Sequence, residues 1–208
     1  MLSSQQLRRT LTVRRFFSFV GMLVFACPIV LAQPAPRKGD PVRGETKIAV
    51  CATCHGDATR APLPGMPMLA AQPAQFLTLQ MILLREGLRD IPQMAPFLKG
   101  LTDRDIIDIA EYYTHQQLPK NVTERNAALY GRGAAVSKAM GCGSCHRGDY
   151  SGQNQVPRIA GQREDYLVHA MKAYRADTRV GTDTNMNGIV RQTSDDDINA
   201  MAHYFALQ

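Results

Sequence analysis

The sequence of 208 residues lacks an apolar run long enough to span a bilayer as a helix. Its most apolar stretch, residues 16–31, is shorter than the roughly 20 apolar residues that a membrane-spanning helix needs, and a glycine and a proline interrupt it. Acidic residues are also absent from residues 1–15, which carry four arginines. A basic start, a short apolar segment and a small-residue end at Ala32 are typical of a secretory signal peptide. We therefore predict a signal peptide over residues 1–32 and an exported, periplasmic protein, with a retained membrane anchor as the alternative.

The sequence also lacks a run of basic residues. It contains 24 Lys and Arg against 18 Asp and Glu, a net charge of +6, but loss of the four signal-peptide arginines leaves 20 basic residues and a net charge of +2. A nucleic-acid-binding protein would carry a basic patch or stripe. The sequence therefore predicts no nucleic-acid partner.

The sequence also shows no strict alternation of apolar and polar residues, which is the pattern of a β-strand. Helical patterns occur instead, and residues 75–87 and 165–176 are two helix candidates. Thr102 and Ser194 resemble helix N-caps, because acidic residues follow each of them in the next turn. The apolar residues after Thr102 keep helical spacing: Ile106, Ile109, Ala110 and Tyr113. We predict an all-α fold.

The second half of the chain repeats the first at a nearly constant shift. The loop PMLAAQ at residues 67–72 matches PRIAGQ at residues 157–162, and the two predicted helix caps are 92 residues apart. This pattern indicates a tandem duplication of a unit of about 85 residues, and we place the two domains at residues 33–118 and 119–208. Units this small rarely bury enough apolar surface to be stable alone, so we expect each one to fold around a bound group.

Cysteine is scarce, yet four of the five cysteines stand in two C-x-x-C-H motifs. The motifs are CATCH at residues 51–55 and CGSCH at residues 142–146, in register with the repeat. Such spacing occurs in zinc sites, in redox dithiols and at covalently bound haem. A zinc site is disfavoured because the two cysteine pairs fall in separate repeats without an evident fourth ligand. A redox dithiol is disfavoured because its C-x-x-C motif follows a β-strand, and the sequence predicts no such strand.

Two c-type haems are therefore the favoured interpretation. One helical turn separates the two thiols of each motif, which suits the spacing of the two porphyrin vinyl groups, and the next residue would place an imidazole beneath the iron. His55 and His146 are thus the predicted iron ligands on one side. The predicted sites of covalent attachment are Cys51, Cys54, Cys142 and Cys145.

The second axial ligand decides whether an iron is open to substrate or closed for electron transfer. Met94 and Met186 follow the histidines of their repeats by 39 and 40 residues, in turn-like stretches, and each precedes the last helix cap by eight residues. Met81 and Met171 also correspond to each other, but their core-like helical spacing favours a packing role. We predict Met94 and Met186 as the second axial ligands.

Pro67 and Pro157 follow the two histidines by 12 and 11 residues. A backbone carbonyl at this place would accept a hydrogen bond from the imidazole Nδ1, which fixes the ring and strengthens it as a ligand. A simple turn proline is the alternative interpretation.

The sequence resembles class I c-type cytochromes, and more closely the dihaem cytochrome c4 family, over residues 44–205. The resemblance rests on the two C-x-x-C-H motifs, the two candidate methionine ligands, the PMLAAQ and PRIAGQ loops and the closing helices. The resemblance implies two all-α cytochrome c domains that face each other, each around one covalent haem c. It also implies the axial pairs His55 with Met94 and His146 with Met186. The implied function is that of an electron carrier, not an enzyme, which passes single electrons from a bc-type complex towards a haem–copper oxidase.

Two other functions stay open at this stage. Related dihaem cytochromes serve as electron-acceptor subunits of periplasmic dehydrogenases, and an enzyme would need one open iron. Peripheral association with the membrane also stays open. The acidic run at residues 195–197 is either a docking site for a partner or the first turn of a helix, and the favourable interaction with the helix dipole favours the second.

Overall fold

The structure, a computed structural model, describes residues 38–57, 59–119, 123–179 and 185–208. The predicted signal peptide lies outside these residues. Within them the chain forms ten α-helices and no strand, and none of the helices is long and apolar enough to cross a membrane. The prediction of an all-α fold is confirmed. The helices are α1 (Pro41–Glu45), α2 (Ala49–His55), α3 (Ala74–Arg85), α4 (Ala95–Leu98), α5 (Asp103–Thr114), α6 (Ala127–Ala139), α7 (Cys142–His146), α8 (Glu164–Arg175), α9 (Met186–Val190) and α10 (Asp195–Ala206).

The helices repeat in order, so that α1–α5 of the first half correspond to α6–α10 of the second. The two helices predicted at residues 75–87 and 165–176 are α3 and α8, with ends within two residues of the prediction. The two predicted N-caps are also confirmed. The Thr102 hydroxyl accepts a hydrogen bond from the backbone N–H of Asp105 at 3.1 Å, and the Ser194 hydroxyl accepts one from that of Asp197 at 3.1 Å.

Each half has its own small core. It lies between α3 and α5 in the first half and between α8 and α10 in the second. In the first half Ile109 and Tyr113 of α5 pack with Leu77 of α3, and in the second half α10 packs with α8 in the same way. The residues predicted from helical spacing are all at most 2% exposed: Ile106, Ile109, Ala110 and Tyr113. The boundary between the domains stays a prediction, and residues 120–122 beside it lie outside the described part of the chain.

The first and last helices of each half cross at a glycine. Gly44 of α1 lies against the backbone of Asp108, and Gly133 of α6 lies against the backbone of Ala200. A Cβ atom at either glycine would collide with the facing carbonyl oxygen. The close approach of these helices therefore requires glycine at both crossings.

The acidic run starts helix α10 and is largely neutralised within the fold. Asp195 forms an ion pair with Lys172 at 2.8 Å and with Arg175, and Asp197 forms one with Arg132 at 2.8 Å. These contacts join α10 to α8 and to α6. They support the interpretation of this run as a helix turn.

The glycine crossing of α6 gives a testable prediction. We expect Gly133→Ala to destabilise the protein by roughly 1–3 kcal/mol, because the new methyl group has to push α6 away from α10. Gly131→Ala in the same helix is the matched control. No atom lies within 4 Å of a Cβ at that position, so alanine should stabilise the helix by about 0.5–1 kcal/mol. Denaturant unfolding of the two variants checks both signs, and equal effects would contradict the close crossing.

Candidate functional site

A cavity of about 830 Å³ is lined by residues of both halves. Its wall is mainly apolar, which is typical of sites for organic cofactors. Seven of the eight site residues predicted from the sequence line it: Cys51, His55, Met94, Cys142, Cys145, His146 and Met186. The eighth, Cys54, is half-buried one helical turn after Cys51 and is not part of the lining.

The first histidine is held at the end of helix α2. Gly56 ends this helix with a positive φ of +72°, and the chain turns away directly after His55. The imidazole is 9% exposed, and its Nδ1 lies 2.9 Å from the carbonyl oxygen of Pro67. Burial lowers the pKa of His55. A neutral ring that donates from Nδ1 leaves Nε2 as the atom with the free lone pair.

The second histidine is held in the same way at the end of helix α7. Arg147 takes the place of Gly56 and has almost the same φ, +71°. The His146 ring is 7% exposed, its Nδ1 lies 2.8 Å from the carbonyl oxygen of Pro157, and burial lowers its pKa. The carbonyl contact predicted from the two prolines is therefore confirmed in both halves.

None of the four described cysteines forms a disulfide. Burial raises the pKa of Cys51 and of Cys142. A reactive dithiol needs the opposite shift, since the thiolate is the nucleophile. In the described ranges, no group of three or more His, Cys, Asp or Glu side chains is arranged to hold a metal ion. The raised pKa values of the two thiols agree with the argument against a redox dithiol.

Eight methionines line the cavity, and four of them belong to neither core cluster: Met66, Met68, Met94 and Met186. Met171 of α8 and Met201 of α10 belong to the core of the second half, and Met81 packs against the core of the first. Met94 and Met186 are half-buried and belong to neither core cluster. The sequence predicted turns at these two positions, whereas Met94 is the N-cap of α4 and Met186 is the first residue of α9. Their role as ligands stays a prediction.

A cluster of two arginines and a tyrosine also lines the cavity. Arg179 donates a hydrogen bond to the Tyr166 hydroxyl at 3.1 Å, and Arg89 donates one to the Gln80 side chain at 2.6 Å. Burial, and then the charge of Arg179, lower the pKa of Arg89. Burial alone would raise the pKa of Tyr166, but the two guanidinium groups lower it. Among the described residues, no carboxylate forms an ion pair with either arginine, and the cluster presents positive charge to the cavity.

Sequence reasoning missed this cluster. The internal repeat could have revealed it, because Arg89 and Arg179 are 90 residues apart and thus occupy equivalent positions in the two halves. The Tyr113 hydroxyl was also missed. It is buried, its side chain lines the cavity, and no described residue hydrogen-bonds it.

Two family models match the chain, one in each half. Residues 130–206 match cytochrome c, and residues 44–112 match cytochrome C oxidase, cbb3-type, subunit III. The two matched segments contain the two C-x-x-C-H helices. The class that the fold and the site define is a tandem c-type cytochrome.

Several relatives resemble the chain over most of its length. Cytochrome c4 of Pseudomonas aeruginosa is 31% identical over 175 residues, which are 80% of this chain and 87% of that protein. The thiosulfate dehydrogenase electron acceptor of Stutzerimonas stutzeri is 33% identical over 167 residues, 75% of this chain and 77% of that one. The crystal structure of reduced recombinant cytochrome c4 from Pseudomonas stutzeri superimposes with a TM-score of 0.74 at 28% identity, covering 81% of this chain and 98% of that chain.

The chain belongs to the cytochrome c4 family. It is a dihaem cytochrome and an electron carrier, with two covalently attached haem c groups.

Proposed function

We propose that this protein carries single electrons in the periplasm, from a bc-type complex towards a haem–copper oxidase. The observation that supports the proposal best is the pair of equivalent histidines, each buried, each hydrogen-bonded to a proline carbonyl, on one shared cavity. Two such sites suit an electron that enters at one iron and leaves at the other. Export by the signal peptide of residues 1–32 is part of this proposal.

The residues present fit two haem c groups, and we assign their roles as follows. Cys51 and Cys54 would form the thioether bonds of the first haem, and Cys142 and Cys145 those of the second. His55 with Met94 would hold the first iron, and His146 with Met186 would hold the second. The two domains of the proposal span residues 33–118 and 119–208. Each bound iron supplies one-electron chemistry by cycling between its ferric and ferrous states.

The protein's own residues prepare the histidines for this task. Burial keeps each imidazole neutral, and the proline carbonyl fixes both its tautomer and the plane of its ring. A methionine at the same place in each half would close both irons against substrate, which favours a carrier over an enzyme with an open iron. The apolar wall of the cavity keeps water away and so limits the reorganisation that accompanies a change of charge.

Arg89, Arg179 and Tyr166 would hold the carboxylate groups of haem propionates. Two guanidinium groups that line one cavity without a described carboxylate partner repel each other, and an anion between them removes that cost. Tyr166 adds a hydroxyl group that already accepts a hydrogen bond from Arg179 and still has a proton to donate. The cluster therefore supplies the charge that two acidic cofactors need in an apolar site.

The route of electrons to a partner follows from the exposed apolar residues at the cavity. Phe97 and Ile189 occupy equivalent positions three residues after Met94 and Met186, line the cavity, and are 46% and 45% exposed. We propose that these two residues belong to the rim on which partners dock. Small apolar contacts of this kind suit brief redox encounters.

A periplasmic dehydrogenase as electron donor is the second candidate. The similarity to a thiosulfate dehydrogenase electron acceptor, at 33% identity, favours it. In that case the chain would accept electrons from the dehydrogenase and pass them on by the same two sites. The partner, and not the chemistry of the haem sites, separates the two candidates.

The axial assignment gives one prediction. We expect Met186→His to lower the midpoint potential of the second haem by on the order of 0.1 V, because axial ligand identity spreads haem potentials over about 0.8 V. The first haem should keep its potential. Spectroelectrochemistry measures both, and Met94→His is the matched variant, with the effect on the first haem. Equal shifts at both haems in either variant would contradict the assignment.

The arginine cluster gives a second prediction. We expect Arg179→Leu to lower the potential of at least one haem, because loss of a nearby positive charge favours the ferric form. A unit charge at about 10 Å is worth roughly 1–2 kcal/mol at an effective dielectric constant of about 20. Arg191→Leu removes the same charge from an exposed ion pair with Asp177 and should leave both potentials nearly unchanged. Identical titrations of the two variants would argue against the propionate role.

The choice of partner is tested by electron-transfer rates with purified complexes across an ionic-strength series. We expect oxidation by a haem–copper oxidase to depend only weakly on salt, because the mature chain has a net charge near +2 and the acidic run is paired internally. Phe97→Ser and Ile189→Ser should slow it several-fold, whereas Asp196→Asn should not. A steep salt dependence that disappears in Asp196→Asn would instead place docking at the acidic run. Faster reduction by thiosulfate dehydrogenase than by a bc-type complex would favour the second candidate.

A further inference from the structure

Two glutamines join the halves of the protein by a symmetric exchange of hydrogen bonds. Gln162 of the second half accepts a hydrogen bond from the backbone N–H of Met68 at 2.8 Å and donates one to the carbonyl of Met68 at 2.9 Å. Gln72 of the first half does the same to Arg158, at 3.0 and 2.8 Å. Both glutamine side chains are buried, at 4% exposure. Each amide is thus bound by two hydrogen bonds to one residue of the opposite half.

The peptide groups that the glutamines contact are the ones that hold the histidines. The N–H of Met68 belongs to the same peptide group as the carbonyl of Pro67, which accepts the hydrogen bond from His55 Nδ1 at 2.9 Å. The peptide group between Pro157 and Arg158 stands in the same relation to His146 and Gln72. In each half, one planar amide therefore links the histidine of that half to a glutamine of the other.

Hydrogen bonds on the two sides of an amide strengthen each other. When the N–H donates to a good acceptor, electron density moves towards the carbonyl oxygen, which then accepts more strongly. A stronger acceptor at Nδ1 makes the imidazole a better electron donor through Nε2. A better donor favours the ferric state of the iron that it binds, and the potential falls. The sign of the effect is therefore set by the chain of bonds alone.

We propose that the two glutamines tune the haem potentials crosswise. Gln162 lowers the potential of the haem that His55 binds, and Gln72 lowers that of the haem that His146 binds. Both are positioning residues that act through a peptide group and touch neither iron. The inference rests on the proposed axial roles of the two histidines. It makes the contact between the halves a determinant of each haem's potential.

A purely structural clamp would behave differently. If the glutamines only hold the halves together, a loosened contact affects both haems, or affects the half that carries the substitution. The crosswise relation predicts that the haem of the unaltered half responds. The protein provides a control for the clamp, because Asp165 also reaches across and accepts a hydrogen bond from the backbone N–H of Gly65 at 2.9 Å. That contact lies outside the two histidine–peptide–glutamine chains.

The experiment compares four forms of the full-length, haem-loaded protein: unaltered, Gln162→Met, Gln72→Met and Asp165→Ala. Methionine keeps the length of the side chain and removes both hydrogen bonds to the opposite half. In Gln162→Met it also removes the hydrogen bond that Gln162 accepts from the backbone N–H of Arg163 at 3.0 Å. Spectroelectrochemistry gives the two midpoint potentials, and NMR of the ferrous state gives the His Nδ1–H resonances. We expect Gln162→Met to raise the potential of the first haem and to move the His55 Nδ1–H resonance to smaller shift, with the second haem unchanged. Gln72→Met should do the reverse, and Asp165→Ala should change neither.

Several outcomes would overturn the crosswise tuning. These are unshifted potentials in both glutamine variants, a response of the haem in the altered half, equal shifts at both haems, or the same shifts in Asp165→Ala. Gln162→Leu repeats the test with a second apolar side chain if methionine disturbs the fold. The proposed function is judged separately, from the iron–sulfur charge-transfer band of the unaltered ferric protein. Absence of that band would overturn the axial pairs, whereas its presence with unshifted potentials would overturn only the tuning.

Discussion

In each half of this protein, a buried imidazole donates a hydrogen bond to the carbonyl of a proline eleven or twelve residues later. That bond fixes which nitrogen keeps the lone pair and which way the ring faces. In both halves the chain leaves the histidine helix at once through a residue with positive φ, Gly56 or Arg147, and returns to place the carbonyl. The loop from histidine to proline, and from there the cavity wall, follows from this constraint.

The helix crossings of the two halves have the same geometry but partly different residues. Both cross their first and last helices at a glycine, but the facing residue in the first half is the buried Asp108, where the second half has Ala200. The Asp108 carboxylate is paired with Arg43 at 2.8 Å, and its hydrogen bond to that guanidinium lowers its pKa. Because the pKa is lowered in the fold, the contribution of this group to stability is fully present above the ordinary pKa of Asp and is lost as the pH falls through the lowered pKa of the folded state. The first half thus depends on an ion pair that the second half replaces by a methyl group.

Much of the fold and of the site was accessible from sequence, because both follow from short-range patterns. A helix cap, a helical apolar stripe and the C-x-x-C-H turn each fit within one element, so Thr102, the α5 stripe and the carbonyl contact of Pro67 were predicted correctly. The arginine cluster and the crossed glutamines were not predicted, because their meaning depends on what the other half places opposite them. The repeat aligned Gln72 with Gln162, but an alignment of equivalent positions does not reveal that each one reaches into its counterpart's half.

The crossed contacts also bear on why the two units stay together as one chain. A unit of this size has a small core, and one wall of its cavity comes from the other unit, so each half completes the apolar surroundings of its neighbour. Covering that wall lowers the local dielectric constant and makes every fixed dipole and charge near the cavity act more strongly. The glutamine amides stand at this covered surface, where a hydrogen bond is strongest and an unpaired amide is most costly. A change in one half that moved its glutamine would thus be felt first at the histidine of the other half, and the two sites are independent in covalent structure but not in energy.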